Sequence, residues 1–551
     1  MPVPVGPHSD HSPASRGPTT GGRWRRAWRL IPHDAYAIAA YVIFACIVVC
    51  CWDPWVGTHE ELYFLGPRRI ANPGFLANDF TWSTQSPTTA LFDHLLAPLW
   101  GFLSPFAIAN LGRAVFWGLM AWSLVRLART IEMPAWAVAA GFALWLLWGQ
   151  TLGLCGSPFE GFQPKSLAYP LSLLSLSYAL RGQVVRAGLA AGLGTAFHIV
   201  IGGWSLMALC VSMLVNRRLF TLRQVGVLLL AAAPFVAPLV LGIELGFGAR
   251  ATASEMRAMQ HIYVMFAEPD CCDVFYFLSS SHVAHGWIRA AAVFAMSLAV
   301  VFTWHQRRAA RMLGAFTATL IAFFAAGVLG RFRGLDALLQ LFPFQLANAL
   351  PALMLFMFVV GAIGVGGATR RLGRVGWVLV LAGTAWLAYD RRVPAALLEK
   401  PRTFANNLRT ALSGDTELGE PICRWIRERT PPTSVFITPF IAGFWPYAER
   451  AQVASMRQPP LDRRLIEWKE RLEAINGSRP FSERGWDTID ELEVHERQLS
   501  IPELIRIRTR YGATHYLATG QRPDLAACVL HAEGGYSVYA LDRLREPEGP
   551  R

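Results

Sequence analysis

Between Asp53 and Ser86 the chain gathers its densest set of chemically able side chains: His59, Glu60, Glu61, Tyr63, Arg68, Arg69, Asp79 and Trp82. Adjacent carboxylates can act as a general base or offer hard oxygen ligands to a divalent cation. Arginines a few residues further on can grip a phosphate with planar two-point geometry. The same charges would serve equally as a solvated loop paired with itself. His59-Glu60-Glu61 is not a HExxH zinc helix, because no second histidine follows at the required interval.

Four further places could carry chemistry. Glu160 and Lys165 flank a Gly-Phe-Gln-Pro turn, where an ion pair could close a cavity or hold an anionic headgroup, and where Lys165 could equally snorkel to an interface. His198 stands in a run of small and apolar residues, Gly192 to Gly203, as either a functional histidine or one satisfied by a hydrogen bond between helices. Arg331 and Arg333 follow an apolar stretch on the side expected to be poor in positive charge, which suits an anionic partner such as a lipid phosphate, or pairing with nearby acids. Between Gly246 and His285, the residues Glu255, His261, Glu268, Asp270 and Asp273 accompany the vicinal Cys271-Cys272, a set that fits no metal-ligand spacing and reads as a polar lid.

The elements that must position these residues are membrane helices. Apolar stretches of roughly 17 to 25 residues, the length that crosses a hydrocarbon core, recur between Ala35 and Asp390 and then stop. The positive-inside rule orders them. Arg23, Arg25, Arg26 and Arg29 put the N-terminus in the cytoplasm, behind a disordered basic leader over residues 1–30. Thr88 to Phe102 reads as an amphipathic helix on the outer surface. Ala187 to Val215 is basic at both ends and so must turn back near His198 as two short helices. About eleven crossings result, over a transmembrane region of residues 31–395 whose first outside loop is 53–86, and they leave the C-terminus outside. Residues 396–551 read as a small extracytoplasmic α/β domain, with helices at Pro421–Arg429, Leu461–Ile475 and Ile501–Arg510 and strands at Ser434–Thr438, Thr514–Ala518 and Tyr536–Leu541.

Composition agrees. Of 551 residues 53% are hydrophobic and 16% charged, more apolar side chain than one soluble core absorbs. The net charge of +13 is mostly arginine clustered between apolar stretches, so it encodes topology and no nucleic-acid partner is expected. Cys423 and Cys528 could form a disulfide in an oxidising compartment or simply pack. Oligomeric state stays open.

A first outside loop with paired acids, a surface helix, many spans and an outside α/β domain together resemble the GT-C-type glycosyltransferases, which use polyprenyl-phosphate sugars. The strings HEELYFLGPRRIANPGFLANDF, FQPKSLAYP, AGLAAGLGTAFHIVIGGW and WIRERTPPTSVFITP are similar to those of a group of bacterial multi-pass membrane proteins with that layout. The resemblance implies an α-helical polytopic fold in a bacterial inner membrane and a lipid partner carrying the sugar. It implies Glu60 or Glu61 as the base or as ligand to a divalent cation, with Lys165, Arg331 and Arg333 at the lipid phosphate; His59, Arg68, Arg69 and His198, read from the residues themselves, are further candidates for binding lipid phosphate or substrate. The first loop has no DxD and the C-terminal domain no Trp-Trp-Asp, so transfer to protein asparagine is not expected. A noncatalytic envelope-assembly or lipid-transport role is the competing expectation.

Overall fold

The computed structural model describes residues 33–82, 86–153, 157–243, 251–279, 283–365, 373–390, 393–413, 420–441 and 443–545. Helices occupy every stretch expected to cross. The chain runs through α1 (His33–Cys51), α2 (Thr58–Ala71), α3 (Ala90–Leu96), α4 (Pro105–Thr130), α5 (Ala135–Trp148), α6 (Pro164–Leu180), α7 (Val184–Phe197), α8 (Ile199–Val215) and α9 (Leu222–Ile243). Next come α10 (Ala253–Ile262), a π-turn (Tyr263–Ala267), α11 (Pro269–Cys272), α12 (Val274–Ser279), α13 (Val283–Phe302), α14 (Arg307–Phe332), α15 (Asp336–Leu339), α16 (Gln345–Gly364), α17 (Gly373–Asp390) and α18 (Val393–Ser413). Among the described helices four are long and apolar enough to cross a membrane, namely α4, α9, α14 and α16, and α1, α5, α7, α8 and α13 contain shorter apolar helices. The α5 sequence AWAVAAGFALWLLW is apolar on every side, and α9 leaves Leu229, Leu230, Val240 and Leu241 open. Helices that keep apolar surface on the outside belong in lipid, and the chain is an integral membrane protein.

Small residues let the helices close up. His198, in extended conformation, ends α7 and caps α8 by accepting from the Ile201 N–H at 3.2 Å. The two helices fold back on each other so tightly that a Cβ on Gly202 would stand 2.2 Å from the Gly194 carbonyl carbon. The turn near His198 is therefore where the two basic ends of Ala187–Val215 required it.

The first outside loop is not a loop. Glu60, Glu61, Arg68 and Arg69 lie on α2, whose Leu62 and Leu65, with Phe75 and Leu76 beyond it, join the core of the C-terminal unit beside Phe436, Leu517 and Val538. The expected surface helix over Thr88–Phe102 is broken into a 3₁₀ turn (Pro87–Thr89), α3 and a second 3₁₀ turn (Ala97–Gly101). The boundary expected at 395/396 falls inside α18.

The C-terminal unit comprises α19 (Glu420–Arg429), β1 (Val435–Ile437), β2 (Ala451–Gln452), α20 (Arg464–Ile475), α21 (Thr488–Glu496), α22 (Ile501–Tyr511), β3 (His515–Thr519), β4 (Val529–Glu533) and β5 (Tyr536–Ala540). Its sheet has the order β2-β1-β3-β5-β4, with β1 parallel to β2 and β3, and β5 antiparallel to β3 and β4. Gly534 and Gly535 both take positive φ in the two-residue turn that joins β4 to β5. Helical spacing puts Leu504 and Ile507 on the buried face of α22, and a Ser500–Glu503 capping box starts that helix. Cys423 and Cys528 are both free and buried, so they pack.

Candidate functional site

The adjacent acids Glu60 and Glu61 are each held by an arginine. Glu60 is fully buried near the start of α2 and receives four donors. The Arg113 Nε donates to Oε1 at 2.7 Å and its Nη2 to Oε2, while the main-chain N–H groups of Gly57 (2.8 Å) and Phe162 complete the set. Arg113, itself buried on α4, also donates to the carbonyls of Asp53 (2.6 Å) and Trp55 (2.7 Å). A carboxylate so saturated has no lone pair to offer a substrate. Glu61 accepts from Arg457 Nη1 at 2.7 Å and from the Gly443 N–H at 3.2 Å, joining α2 to the C-terminal unit. Asp79 is likewise buried and takes hydrogen bonds from Trp445 Nε1 (2.8 Å) and the Gln452, Thr81 and Trp82 amides.

Between these frames lies a cavity of about 1160 Å³. One end is apolar, walled by Val200 and Met207 of α8 and by Val236, Leu239 and Ile243 of α9. The other is polar, walled by α2, the turn before α11, and residues Arg457–Arg464 and Trp486 of the C-terminal unit. Glu60 and Glu61 do not line it, which corrects their expected place at the centre of the chemistry. Glu61 stands behind Arg457, which does line it.

The remaining expected residues divide. Arg69, Lys165 and His198 line the cavity. Lys165 sits at the start of α6, where Gln163 and Pro164 open the helix, and pairs with Glu160 at 3.1 Å; both face the cavity. Arg68 points away, to Glu449 (2.5 Å) and the Pro446 carbonyl (3.0 Å) over the Phe75 ring. Arg331 pairs with buried Asp273 at 3.0 Å, outside the cavity, and Arg333 is exposed at the end of α14. These three are therefore not phosphate ligands of this cavity. His59 is in the first turn of α2, and its side chain lies outside the described residues.

Besides Asp93, Glu160 and Asp462, the acids that line the cavity are Glu268 and Asp270, around Pro269 at the head of α11. Neither is in an ion pair among the described residues. Removal from water pushes the Glu268 carboxyl up, and the Asp270 charge beside it adds to the shift, against a smaller opposing pull from Lys165. Burial raises Asp270 as well, with Glu160 contributing, while backbone amides and the Trp486 indole N–H favour its charged form. Two neighbouring acids that disfavour each other's charge favour the protonated form, and the one that is charged can take a proton from a substrate. The ligand atoms of Glu268, Asp270 and Cys271 lie within 4.8 Å of one another. Cys271 is disulfide-bonded, so it brings no thiolate, and the two carboxylates suit only a hard, oxygen-seeking divalent cation that finds its other ligands in substrate and water.

Sequence reasoning noticed Glu268 and Asp270 but set them in a lid. The signal was a pair of acids around a proline before vicinal cysteines; their lining one cavity with Lys165 and Arg457 depends on the approach of segments about 100 to 190 residues apart in the chain. Arg457, Arg464 and Trp486 left no local signal at all.

Residues 419–475 match the model of a family described as a domain of unknown function, DUF6798. No curated protein sequence matches the chain. Among solved structures, similar ones include ArnT from Cupriavidus metallidurans bound to undecaprenyl phosphate, at 14% identity over 96% of this chain and 100% of that one, with a TM-score of 0.43. The Archaeoglobus fulgidus oligosaccharyltransferase in the apo form matches at 12% identity over 88% of this chain and 69% of that one, TM-score 0.45. AglB from the same archaeon, in complex with an inhibitory peptide and a dolichol-phosphate, matches at 11% identity over 90% of this chain and 70% of that one, TM-score 0.44. These neighbours are GT-C glycosyltransferases. At such identities the likeness is one of overall layout.

Proposed function

We propose that this chain is a membrane glycosyltransferase that moves a sugar from a polyprenyl-phosphate carrier to a cell-envelope acceptor. One observation carries the reading: a single cavity joins an apolar groove between α8 and α9 to a polar chamber lined by cations and by Glu268 and Asp270, which form no ion pair among the described residues. A lipid chain fits the first part, and a phosphate and sugar fit the second. In the reaction the acceptor hydroxyl oxygen bonds to the anomeric carbon while the bond from that carbon to the phosphate oxygen breaks. The hydroxyl proton passes to the Glu268–Asp270 pair, and the lipid phosphate leaves with the bonding electrons. Lys165 and Arg69 supply the positive charge that offsets the growing negative charge on the leaving phosphate.

The polar chamber is assigned to the outside of a bacterial inner membrane, with the N-terminus in the cytoplasm. The Cys271 disulfide supports this side, because α11 docks on the C-terminal unit through Arg484 to Asp273 (3.3 Å), and disulfides persist in oxidising compartments. The test is envelope-glycan and lipid-linked-sugar profiling of cells carrying Glu268→Gln or Asp270→Asn, beside wild type and a deletion, with membrane levels of the protein followed. Loss of one glycan and accumulation of its lipid-linked donor supports the reading; an unchanged profile in the deletion refutes it.

One observation favours a noncatalytic lipid-handling role instead. Glu60 and Glu61 are both consumed by arginines, as that role expects. The deletion separates the two, since a lipid carrier without chemistry changes where a glycolipid resides and leaves its sugars intact.

A further inference from the structure

Trp486 is one of three large apolar side chains left exposed in the described C-terminal unit, with Val494 and Val529, and it alone of the three lines the cavity. Its position is fixed from several sides. Arg484 reaches Asp273 at 3.3 Å, and the Tyr276 hydroxyl donates to the Arg484 carbonyl at 2.9 Å and to Asp487, so the turn Arg484–Asp487 is fastened to α11 and α12. Phe440 meets the indole edge to face at 6.0 Å. The indole N–H lies on the side of the Asp270 carboxylate and favours its charged form. The ring is thus rigid, yet 39% of the residue's surface stays open.

Open indole surface in a chamber otherwise walled by Glu268, Asp270, Arg457 and Arg464 is an apolar plate inside a rim of hydrogen-bonding groups. A ligand that matches it presents a flat C–H face and a periphery of hydroxyls. Carbohydrate rings have that shape: their C–H face stacks on the negative face of an aromatic ring, and their hydroxyls are oriented by a few polar side chains. A phosphate alone gains nothing from the indole face, and a polyprenyl chain is served by the apolar end of the cavity.

We propose that Trp486 is the stacking platform for the sugar of the donor, holding the ring beside Asp270 and thereby selecting sugar-loaded carrier over bare lipid phosphate. This rests on the transfer function proposed above. Trp486 shares its stretch of cavity wall with Glu268 and Asp270, so a sugar on the indole is placed against the carboxylates that accept the proton.

The experiment uses the full chain in lipid nanodiscs, as wild type, Trp486→Ala and Trp486→Phe. The probes are undecaprenyl phosphate and its glucosyl, mannosyl and N-acetylglucosaminyl forms, and the readouts are equilibrium affinity and melting temperature. Wild type is expected to bind one sugar-loaded carrier more tightly than the bare one. Trp486→Ala should lose that preference by tenfold or more while its affinity for bare undecaprenyl phosphate stays within twofold, and Trp486→Phe should keep most of it. If Trp486→Ala weakens bare and loaded carriers equally, or weakens neither while wild type discriminates, the platform is refuted and the transferase reading stands. If wild type prefers no sugar-loaded carrier, both fall together.

Discussion

Two pairs of carboxylates sit on the same side of this molecule and do opposite things. Glu60 and Glu61 each meet an arginine from a distant element, Arg113 on α4 and Arg457 in the C-terminal unit. Glu268 and Asp270 meet each other. The first pair spends its charge on fastening α2 between the membrane helices and the sheet; the second keeps its charge unresolved in a cavity wall. Density of charge in a sequence therefore does not mark a reactive site. What distinguishes one is an acid left without a cation where a ligand can reach it, and that is a property of tertiary partners.

The contrast predicts its sharpest effect at Arg113. Removing one partner of a buried ion pair strands the other, at a cost of about 3–5 kcal/mol. Arg113→Ala should therefore collapse membrane levels and the melting temperature of the solubilised protein, and Arg113→Leu with Glu60→Leu should recover much of both. A single variant as stable as wild type would overturn the assignment of Glu60 to the frame. At the other pair the expectation reverses. Asp270→Asn should leave protein levels and melting unchanged and slow sugar transfer by about 10²- to 10⁴-fold, the usual worth of a positioned base. Because both acids are raised, the fraction able to accept a proton grows with pH, so transfer measured in membranes should speed up from mildly acid to neutral pH and lose that slope in the variant.

A third acid tests whether lack of a cation alone makes an acid reactive. Glu496, at the end of α21, is fully buried, forms no ion pair among the described residues, and does not line the cavity; the Tyr516 hydroxyl donates to its main-chain carbonyl at 3.1 Å. Burial pushes its carboxyl from 4.5 up to about 8, with Tyr516, Arg497 and Arg522 pulling it down and Glu493 adding to the rise. The folded state then holds the proton more tightly than the unfolded one, so the stability this carboxyl contributes is full below pH 4.5 and is lost as pH rises through about 8. Glu496→Gln should raise the melting temperature by roughly 2–8 °C at pH 8, barely change it at pH 5, and leave transfer untouched. Equal effects at both pH values would show that the carboxyl is charged in the fold. The smallest effect belongs to the partly exposed pair of Arg68 and Glu449, where Arg68→Ala should cost about 0.2–1 kcal/mol, read as a shift in melting that high salt reduces.

Much of the architecture was legible. Apolar runs bounded by arginine located helices such as Gln345–Gly364 within a few residues, and the two basic ends of Ala187–Val215 forced the turn at His198. In the C-terminal unit, alternation and amphipathic spacing located β1, β3, β5 and the helices α19, α20 and α22. They could not locate β2, which is two residues long and held only by pairing with β1, nor β4, whose side chains are mostly exposed. The site was half legible. Lys165, Arg69 and His198 could be picked out as charged or titratable groups near membrane helices. Glu60 misled, because the guanidinium that neutralises it comes from a helix 53 residues away, and the role of Trp486 depends on the docking of α11 against a turn more than 200 residues later.

The bond between Glu61 and Arg457 spans 396 residues of chain, and that between Arg68 and Glu449 spans 381. At translation speeds of about 5–20 residues per second, α2 emerges roughly 20 to 80 seconds before its partners exist. During that interval the apolar faces of Leu62 and Leu65 and the carboxylate of Glu61 have no sheet to join. The newborn protein must wait with an open seam on the side where the soluble domain will arrive, which makes nascent chains and truncations that stop before Arg457 the natural clients of holding chaperones and quality-control proteases.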